Sequence, residues 1–340
     1  MSLLWADSFG GYATADVSTK YTTVNGAPTI RTTEGPRGGP SMELSSTQRI
    51  TKTVAPGDAT CIIGASWHAD SGATSQPSLF AILDGATRQI TLNLNTDMTL
   101  RVARGNFGGT ALGTTTKVVA QNTWYTIELK VLIHASAGTV DLKVDGVSWL
   151  SLTGQNTRNS ATAQWTAFEV GAQSSELTFN YAELYVLDGV ASADATHPAN
   201  NFLYPYRMDP SYVTGAGTTT MFTPSAGANW QNVDEDPVNT TDYNTSTAAA
   251  DKDTFVTQDA PVAGVLLGYQ VNVFCQKTDA GVCTVAAVIR SGGTDYVSAA
   301  QAVSTTFAYV SFPYSVDPAT SLVPTTSAWD AGETGYDRVA

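Results

Sequence analysis

Charged residues are scarce in this chain of 340 residues, where Lys, Arg, Asp and Glu together make up 14%, against roughly a quarter of an average soluble protein. The balance is acidic, with 17 basic and 30 acidic residues and a formal net charge of −13. No cluster of Lys or Arg occurs anywhere in the sequence. Because nucleic-acid phosphates are bound by basic patches, the sequence argues against DNA or RNA as a partner.

Long apolar segments are also missing. No apolar run approaches the roughly 20 residues that a membrane-spanning helix needs. The first twelve residues, MSLLWADSFGGY, lack the basic segment and the long apolar segment of a secretory signal peptide. We therefore expect no membrane insertion, and synthesis in a cytoplasm without Sec-type export.

Residues that carry catalysis or bind metals are few and dispersed. His68, His134 and His197 are the three histidines, and none has the HxH or HxxxH spacing of paired metal ligands. Neither a GxSxG motif nor a Ser/His/Asp set stands out. Asp141 and Asp145 share a strand face, but four residues at about 3.3 Å each place them about 13 Å apart, too far for a glycosidase pair. The sequence therefore predicts no catalytic residue, no metal, no cofactor and no enzymatic activity.

The densest acidic stretch covers residues 233–237 and continues with Asp242, Asp251 and Asp253. It lacks the EF-hand spacing, with Gly at the sixth position and Glu at the twelfth. Two interpretations stay open at this stage. The default is a solvated acidic loop, and the alternative is a bound Ca²⁺.

Cysteine is nearly absent, and three residues are too few for a disulfide scaffold or a structural zinc site. Cys275 and Cys283 flank a predicted hairpin loop over residues 277–281 and would face each other across it. Either both are small half-buried thiols, or they form a cross-strand disulfide after release from a reducing cytosol.

The sequence is rich in short runs of alternating apolar and polar residues. No window of eleven or more residues sustains a helical period, whereas strand-like runs recur at short spacing between Gly, Pro, Asn and Asp. This pattern is typical of an all-β sandwich or barrel. The predicted strands cover residues 59–67, 77–83, 90–94, 98–102, 125–133, 140–144, 147–152, 168–171, 179–187, 264–274, 282–289 and 307–312.

The clearest predicted hairpin lies between residues 125 and 144. Its register follows from joining the two apolar faces, because a slip of one residue would set Val131 against Asp141. The predicted cross-strand pairs are Ile133 with Val140, Val131 with Leu142 and Leu129 with Val144. Asp145-Gly146 is a tight-turn signal, so a third strand should follow it directly.

Residues 188–205 lack periodicity and contain Gly189, Pro198, Asn200 and Asn201. We therefore expect a domain boundary near residues 195–210. The predicted architecture is two β-sandwich, jelly-roll-like domains in tandem, over residues 1–200 and 201–340.

Aromatic residues offer surfaces on which sugars can stack. Trp5, Trp67, Trp149, Trp165 and Trp230 are candidates, together with the fourteen tyrosines. Aromatic residues of β-sandwiches more often lie in the core or at its rim. Core packing is therefore the default interpretation of these tryptophans.

A series of short motifs, in a fixed order, carries a resemblance to a protein family. In the first half they are WADSFGGY (5–12), GPRGG (35–39), MEL (42–44), LRVARG (100–105), WYTIELKV (124–131), GTVDLKVDG (138–146) and YAELYVLDG (181–189). In the second half they are FTPSAG (222–227), NVDE (232–235), DKDTF (251–255) and CQKTDAG (275–281). The chain resembles bacteriophage structural proteins that begin with a laminin-G-like, concanavalin-like jelly roll. Ala182 stands where that family usually has a further Asp, which argues against a calcium site of the laminin-G type.

The resemblance implies a non-enzymatic structural component of a bacteriophage virion, made in the bacterial host cytoplasm. Such a capsid decoration, neck or tail appendage would act by contacts with other virion proteins and with copies of itself. The alternative, from a different functional class, is a carbohydrate-binding adhesin that recognises a host surface glycan. The fold cannot separate the two, because jelly rolls serve both.

Overall fold

The computed structural model describes residues 2–45, 47–73, 75–171, 177–190 and 201–340. Strands make up 48% and helices 6%, so the prediction of an all-β chain is confirmed. The two α-helices in these residues are short: α1 covers Val17–Lys20 and α2 covers Thr326–Asp330. In the same ranges, no helix has the length and apolar character needed to cross a membrane.

The chain divides into two compact units. Unit 1 comprises Met1–Gly10 and Tyr21–Met208, and unit 2 comprises Gly11–Lys20 and Asp209–Ala340. A ten-residue segment near the N-terminus therefore belongs with the C-terminal unit. No pattern in the sequence predicts that this segment belongs with unit 2.

Unit 1 is built from two antiparallel sheets. Its strands in the described residues are β1 Leu3–Asp7, β2 Thr23–Asn25, β3 Thr29–Arg31, β4 Ser41–Ser45, β5 Arg49–Thr53, β6 Thr60–Ala69, β7 Ser78–Asp84, β8 Thr87–Leu94, β9 Thr99–Arg104, β10 Thr110–Val118, β11 Tyr125–Leu132, β12 Gly138–Val144, β13 Val147–Gln155, β14 Ala167–Gly171 and β15 Thr178–Leu187. One sheet has the order β13-β12-β11-β6-β15-β4-β3, with β1 paired to β15, and the other has the order β10-β9-β8-β7-β14-β5-β2.

The core of unit 1 lies between these sheets, because period two directs every second side chain to the same face. Burial in β12 alternates strictly from residue to residue. Polar groups of buried aromatics bond across the core: the Tyr181 hydroxyl donates to the Leu79 carbonyl (3.1 Å), and Trp165 Nε1 donates to the Thr60 carbonyl (2.8 Å). The largest fully buried side chains include Trp5, Trp67, Trp165, Phe80, Phe168 and Phe179.

The predicted hairpin is present, but its predicted register is wrong by two residues. The observed pairs are Val131 with Val140, Leu129 with Leu142 and Ile127 with Val144. A shift of two residues keeps the same apolar face, so the alternation that excluded a one-residue slip cannot detect it. On its other edge β11 pairs with β6, and the backbone N–H of Ile133 continues that pairing by donating to the Ala59 carbonyl (2.7 Å). The Asp145-Gly146 turn is present, with φ of 50° and 73°.

Unit 2 has one larger sheet and a smaller one packed on it. Its strands in the described residues are β16 Val213–Thr220, β17 Thr223–Pro224, β18 Asn244–Thr245, β19 Lys252–Thr257, β20 Tyr269–Cys275, β21 Thr284–Ser291, β22 Thr294–Val297, β23 Gln301–Ala302, β24 Ala308–Tyr314 and β25 Glu333–Arg338. The larger sheet has the order β16-β19-β25-β21-β22, with β23 on β21, and β20 pairs with β24. Val285 and Ala287 of the first sheet share a core cluster with Val310 and Phe312 of the second.

The predicted hairpin around residues 277–281 does not form. Strand β20 pairs with β24, whereas β21 pairs with β25, β22 and β23, so the two strands belong to different sheets. Both runs are apolar enough to serve as hairpin partners or as facing layers of a sandwich. Alternation alone does not distinguish these arrangements.

Candidate functional site

A depression in unit 2 lies at one end of the larger sheet, where β19 and β21 end and β25 begins. Its cavity volume is about 30 Å³, far below the roughly 300–1,000 Å³ of ligand pockets, so it is a shallow depression of the surface. Cross-strand pairing of Arg290 with Glu333 positions two charged residues at its rim. Tyr269, at the start of β20, and Trp329, on α2, contribute aromatic rings to the lining.

The aromatic side chains of the depression are held in place on several sides. The rings of Trp329 and Tyr269 lie 5.3 Å apart with an interplanar angle of 57°, and Tyr269 stacks on its cross-strand partner Tyr314 at 5.0 Å. Trp329 Nε1 donates to the Gln258 carbonyl (3.2 Å). The Thr325 hydroxyl caps the short helix by accepting from the Ala328 N–H (3.1 Å), which satisfies one free helical donor.

Two carboxylates of the lining are fixed by hydrogen bonds. Asp317 is buried and accepts from the Ser291 hydroxyl (3.0 Å) and the Ala319 N–H (2.8 Å). Glu333 accepts from the hydroxyl and the N–H of Thr218 (2.5 and 2.8 Å). Burial acts to raise the pKa of Glu333, but hydrogen bonds from Thr218 and Thr254 and the nearby charge of Arg290 together lower the pKa overall. Glu333 is therefore charged at neutral pH.

The guanidinium of the lining is engaged in an ion network. Arg290 Nη1 donates to Asp295 (2.7 Å), and its Nε lies 3.8 Å from Glu333 Oε1. Lys252 Nζ donates to the other oxygen of Asp295 (2.7 Å). Burial acts to raise the pKa of Asp295, but hydrogen bonds from Lys252 and Arg290 lower it overall. The network holds Arg290 in one position at the rim.

Two half-buried aromatic rings beside fixed acceptors and a fixed guanidinium suit a ligand that is apolar on its faces and polar at its edges. Among the described residues that line the depression there is no histidine and no cysteine. The arrangement supplies contacts for binding and orientation.

The tryptophans chosen from the sequence lie elsewhere. Trp5, Trp67 and Trp165 are fully buried in unit 1, as the default interpretation held. Trp149 is half-buried on β13, with Lys117 Nζ 5.7 Å from its ring. The sequence analysis did not select Trp329 or Tyr269 as binding residues. A usable signal in the sequence was the short polar helical turn that Thr325 caps. Because the turn is short, it cannot carry the Trp329 side chain into a hydrophobic core.

The acidic residues considered for calcium have separate partners. Asp253 is fully buried and accepts from the N–H of Met221 (2.7 Å), the N–H of Phe222 (3.0 Å) and Asn229 Nδ2 (2.6 Å). Asp251 accepts from the Ser246 hydroxyl (2.6 Å). Within the described ranges, no group of three or more His, Cys, Asp or Glu residues is arranged to hold a metal ion.

The remaining residues from the sequence analysis are dispersed. His68 lies 3.0 Å from Asp70, and His134 Nδ1 accepts from two loop N–H groups. His197 falls outside the described residues. Asp141 accepts from the Ser151 hydroxyl (2.7 Å), and Asp145 accepts from the Thr126 N–H (2.8 Å) in the tight turn.

Cys275 and Cys283 pack against the same core cluster from different sheets, and both are free thiols. Burial, together with the neighbouring Cys283, raises the pKa of Cys275 to about 12. A high pKa disfavours the thiolate that disulfide exchange requires. The disulfide between them stays a prediction.

No protein-family model matches this chain, and no curated protein matches its sequence. Solved structures with some similarity include Trypanosoma rangeli sialidase in complex with sialic acid, with 15% identity and a TM-score of 0.36 over 49% of this chain and 30% of that one. The alginate lyase Aly36B has 10% identity and a TM-score of 0.36 over 52% of this chain and 91% of its own. The chain thus spans less than a third of the sialidase, and no residue role is transferred from either protein.

These comparisons correct two expectations from the sequence. A non-enzymatic virion component acting by protein–protein contacts was the main prediction, and absence of enzymatic activity was the second. The structural neighbours are instead carbohydrate-processing enzymes, a sialidase and an alginate lyase, which contradicts both.

Proposed function

We propose that this protein binds a glycan, and that the depression of unit 2 is the binding site. The observation that carries the proposal is the aromatic pair Tyr269 and Trp329 beside the fixed polar groups of Asp317, Arg290 and Glu333. These side chains come from four separate stretches of the chain. Their convergence gives one surface both an apolar wall and directional hydrogen-bonding groups.

The chemistry of a sugar ring matches that surface. Its C–H faces are apolar and stack on aromatic rings, while its hydroxyls donate to carboxylates and accept from a guanidinium. Because the polar groups of the site are already oriented by bonds to Ser291, Thr218 and Asp295, little side-chain entropy is lost on binding. Preorganisation of this kind increases affinity.

Replacing Trp329 by alanine should weaken glycan binding at least tenfold, which corresponds to about 1.4 kcal/mol. The side chain is half-buried at the rim of the depression, so its removal deletes a stacking surface with little loss of core packing. Ligands are first identified by screening the whole protein on a glycan array. Affinities of the wild type and the variant are then compared by calorimetry.

Trp149→Ala is the matched control, because Trp149 is a half-buried tryptophan of unit 1 outside the depression. It should keep the wild-type affinity. Absence of binding by the wild type to any glycan would refute the proposal. So would an equal loss of affinity in both variants.

A further inference from the structure

The two units differ greatly in charge. Unit 2 contains 15 of the 30 acidic residues but only 5 of the 17 basic ones, and so carries −10 of the net charge of −13. A glycan that approaches unit 2 therefore meets a negative potential. A negative field lowers the local concentration of anionic partners relative to that of neutral or cationic partners.

The depression itself has the same sign. Among the described residues that line it, the charged ones are Arg290, Asp317 and Glu333. The positive charge of Arg290 is offset by two carboxylates, because Asp295 accepts from its guanidinium at 2.7 Å and Glu333 lies 3.8 Å away. The nearby Lys252 is likewise paired with Asp295 at 2.7 Å.

The carboxylate of Asp317 retains capacity to accept further hydrogen bonds. An ionised carboxylate offers about four acceptor positions, and Asp317 has two bonds from the protein, from Ser291 and Ala319. Sugar hydroxyls are donors of the kind that can fill the remaining positions. A carboxylate or sulfate on the sugar has no proton to donate at neutral pH, and its charge repels both side chains.

From this geometry we propose that the site selects neutral sugars and rejects glycans that carry carboxylate or sulfate groups. The inference rests on the proposed function and specifies its ligand class. Natural binding sites often exclude one class of ligand by like-charge repulsion. Here the repulsive elements are Asp317 and Glu333, and the ion pairs of Arg290 offset the charge that would attract an acid.

The test compares neutral and acidic glycans on the whole protein. A panel of neutral polysaccharides is set beside alginate, hyaluronan, polysialic acid and polygalacturonate, and fully methyl-esterified polygalacturonate serves as an uncharged match for the last. We expect every acidic polymer to bind at least tenfold more weakly than the best neutral one. The difference should narrow as salt is raised from 0.01 to 0.15 M, where the screening length falls from about 30 Å to about 8 Å.

Glu333→Gln and Asp317→Asn each remove one repulsive charge and keep a similar shape. Either variant should increase the ratio of acidic-glycan affinity to neutral-glycan affinity at least threefold over the ratio of the wild type. Asp279→Asn is the control, because this residue lies in the loop between the end of β20 and the start of β21, at the other ends of these strands from the depression. It should leave both affinities unchanged.

The outcomes distinguish failure of the proposed glycan binding from failure of the proposed preference for neutral sugars. Acidic glycans that bind as tightly as neutral ones, with an affinity that Trp329→Ala reduces, would overturn the neutral preference and leave glycan binding at this site intact. Failure of every glycan of both classes to bind would overturn the proposed function, and the preference with it. A gain for acidic glycans in Asp279→Asn equal to that in Glu333→Gln would refute the local origin of the selectivity.

Discussion

Replacement of Glu169 by alanine should lower the free energy of unfolding of unit 1 by about 3–5 kcal/mol, as expected when one partner of a buried ion cluster is removed. Its side chain is 4% exposed, and its oxygens lie 3.2 Å from Arg49 Nε and 2.8 Å from Arg88 Nη2. The side chains of Arg49 and Arg88 are 29% and 22% exposed. In the variant, both arginine side chains would stay partly buried but would lose the carboxylate that compensates for the cost of burying their charge.

The measurement is chemical denaturation followed by tryptophan fluorescence and far-UV circular dichroism, with separate transitions fitted for the two units. Glu34→Ala is the matched control, because that side chain is 55% exposed and lies 3.9 Å from Arg31 Nε. An exposed pair of this kind contributes about 0–1 kcal/mol. Similar losses in the two variants would contradict the assignment of Glu169 as a buried anchor.

The position of Glu169 shows what a single sequence does not reveal. Its strand β14 lies between β5 and β7, and these partners are distant in the chain. Alternation identified residues 168–171 as a strand and the surrounding segments as strands. It contains no information on which distant strands pair, because any two strands with apolar faces satisfy the same pattern.

The hairpin from β11 to β12 shows the same principle at short range. Alternation fixed the buried face, which the structure confirms with Leu129, Val131 and Leu142 fully buried. It could not fix the pairing, because registers that differ by two residues bury the same side chains. Strand β11 also pairs with β6, and Ile133 extends that pairing with a bond to Ala59, a neighbour that the hairpin sequence does not contain.

The candidate site was beyond sequence reasoning for a related reason. Glu333 is oriented by Thr218, 115 residues earlier, and Asp317 by Ser291, 26 residues earlier. No local motif contains such pairs. The predicted hairpin between Cys275 and Cys283 is wrong for a similar reason. Proximity in the chain favoured pairing of the two strands, but they lie in different sheets that pack on each other.

Leu142→Ala should lower the free energy of unfolding of unit 1 by about 2–5 kcal/mol, the usual cost of the cavity left when a buried Leu is truncated to Ala. Leu142 is fully buried on β12, between Leu129 of β11 and Leu150 of β13. Lys143→Ala is the neighbouring control. Its side chain points to the opposite face, with Nζ 4.8 Å from the Phe202 ring, a contact worth about 0.5–1 kcal/mol.

A double-mutant cycle on the same strand tests the register directly. Residues in contact show coupling energies of about 0.5–3 kcal/mol, and directly opposed cross-strand pairs lie closer than diagonal ones. The pairing of Leu142 with Leu129 predicts stronger coupling between these two than between Leu142 and Val131. Stronger coupling to Val131 would restore the register expected from alternation, and the observed hairpin would then be wrong by two residues.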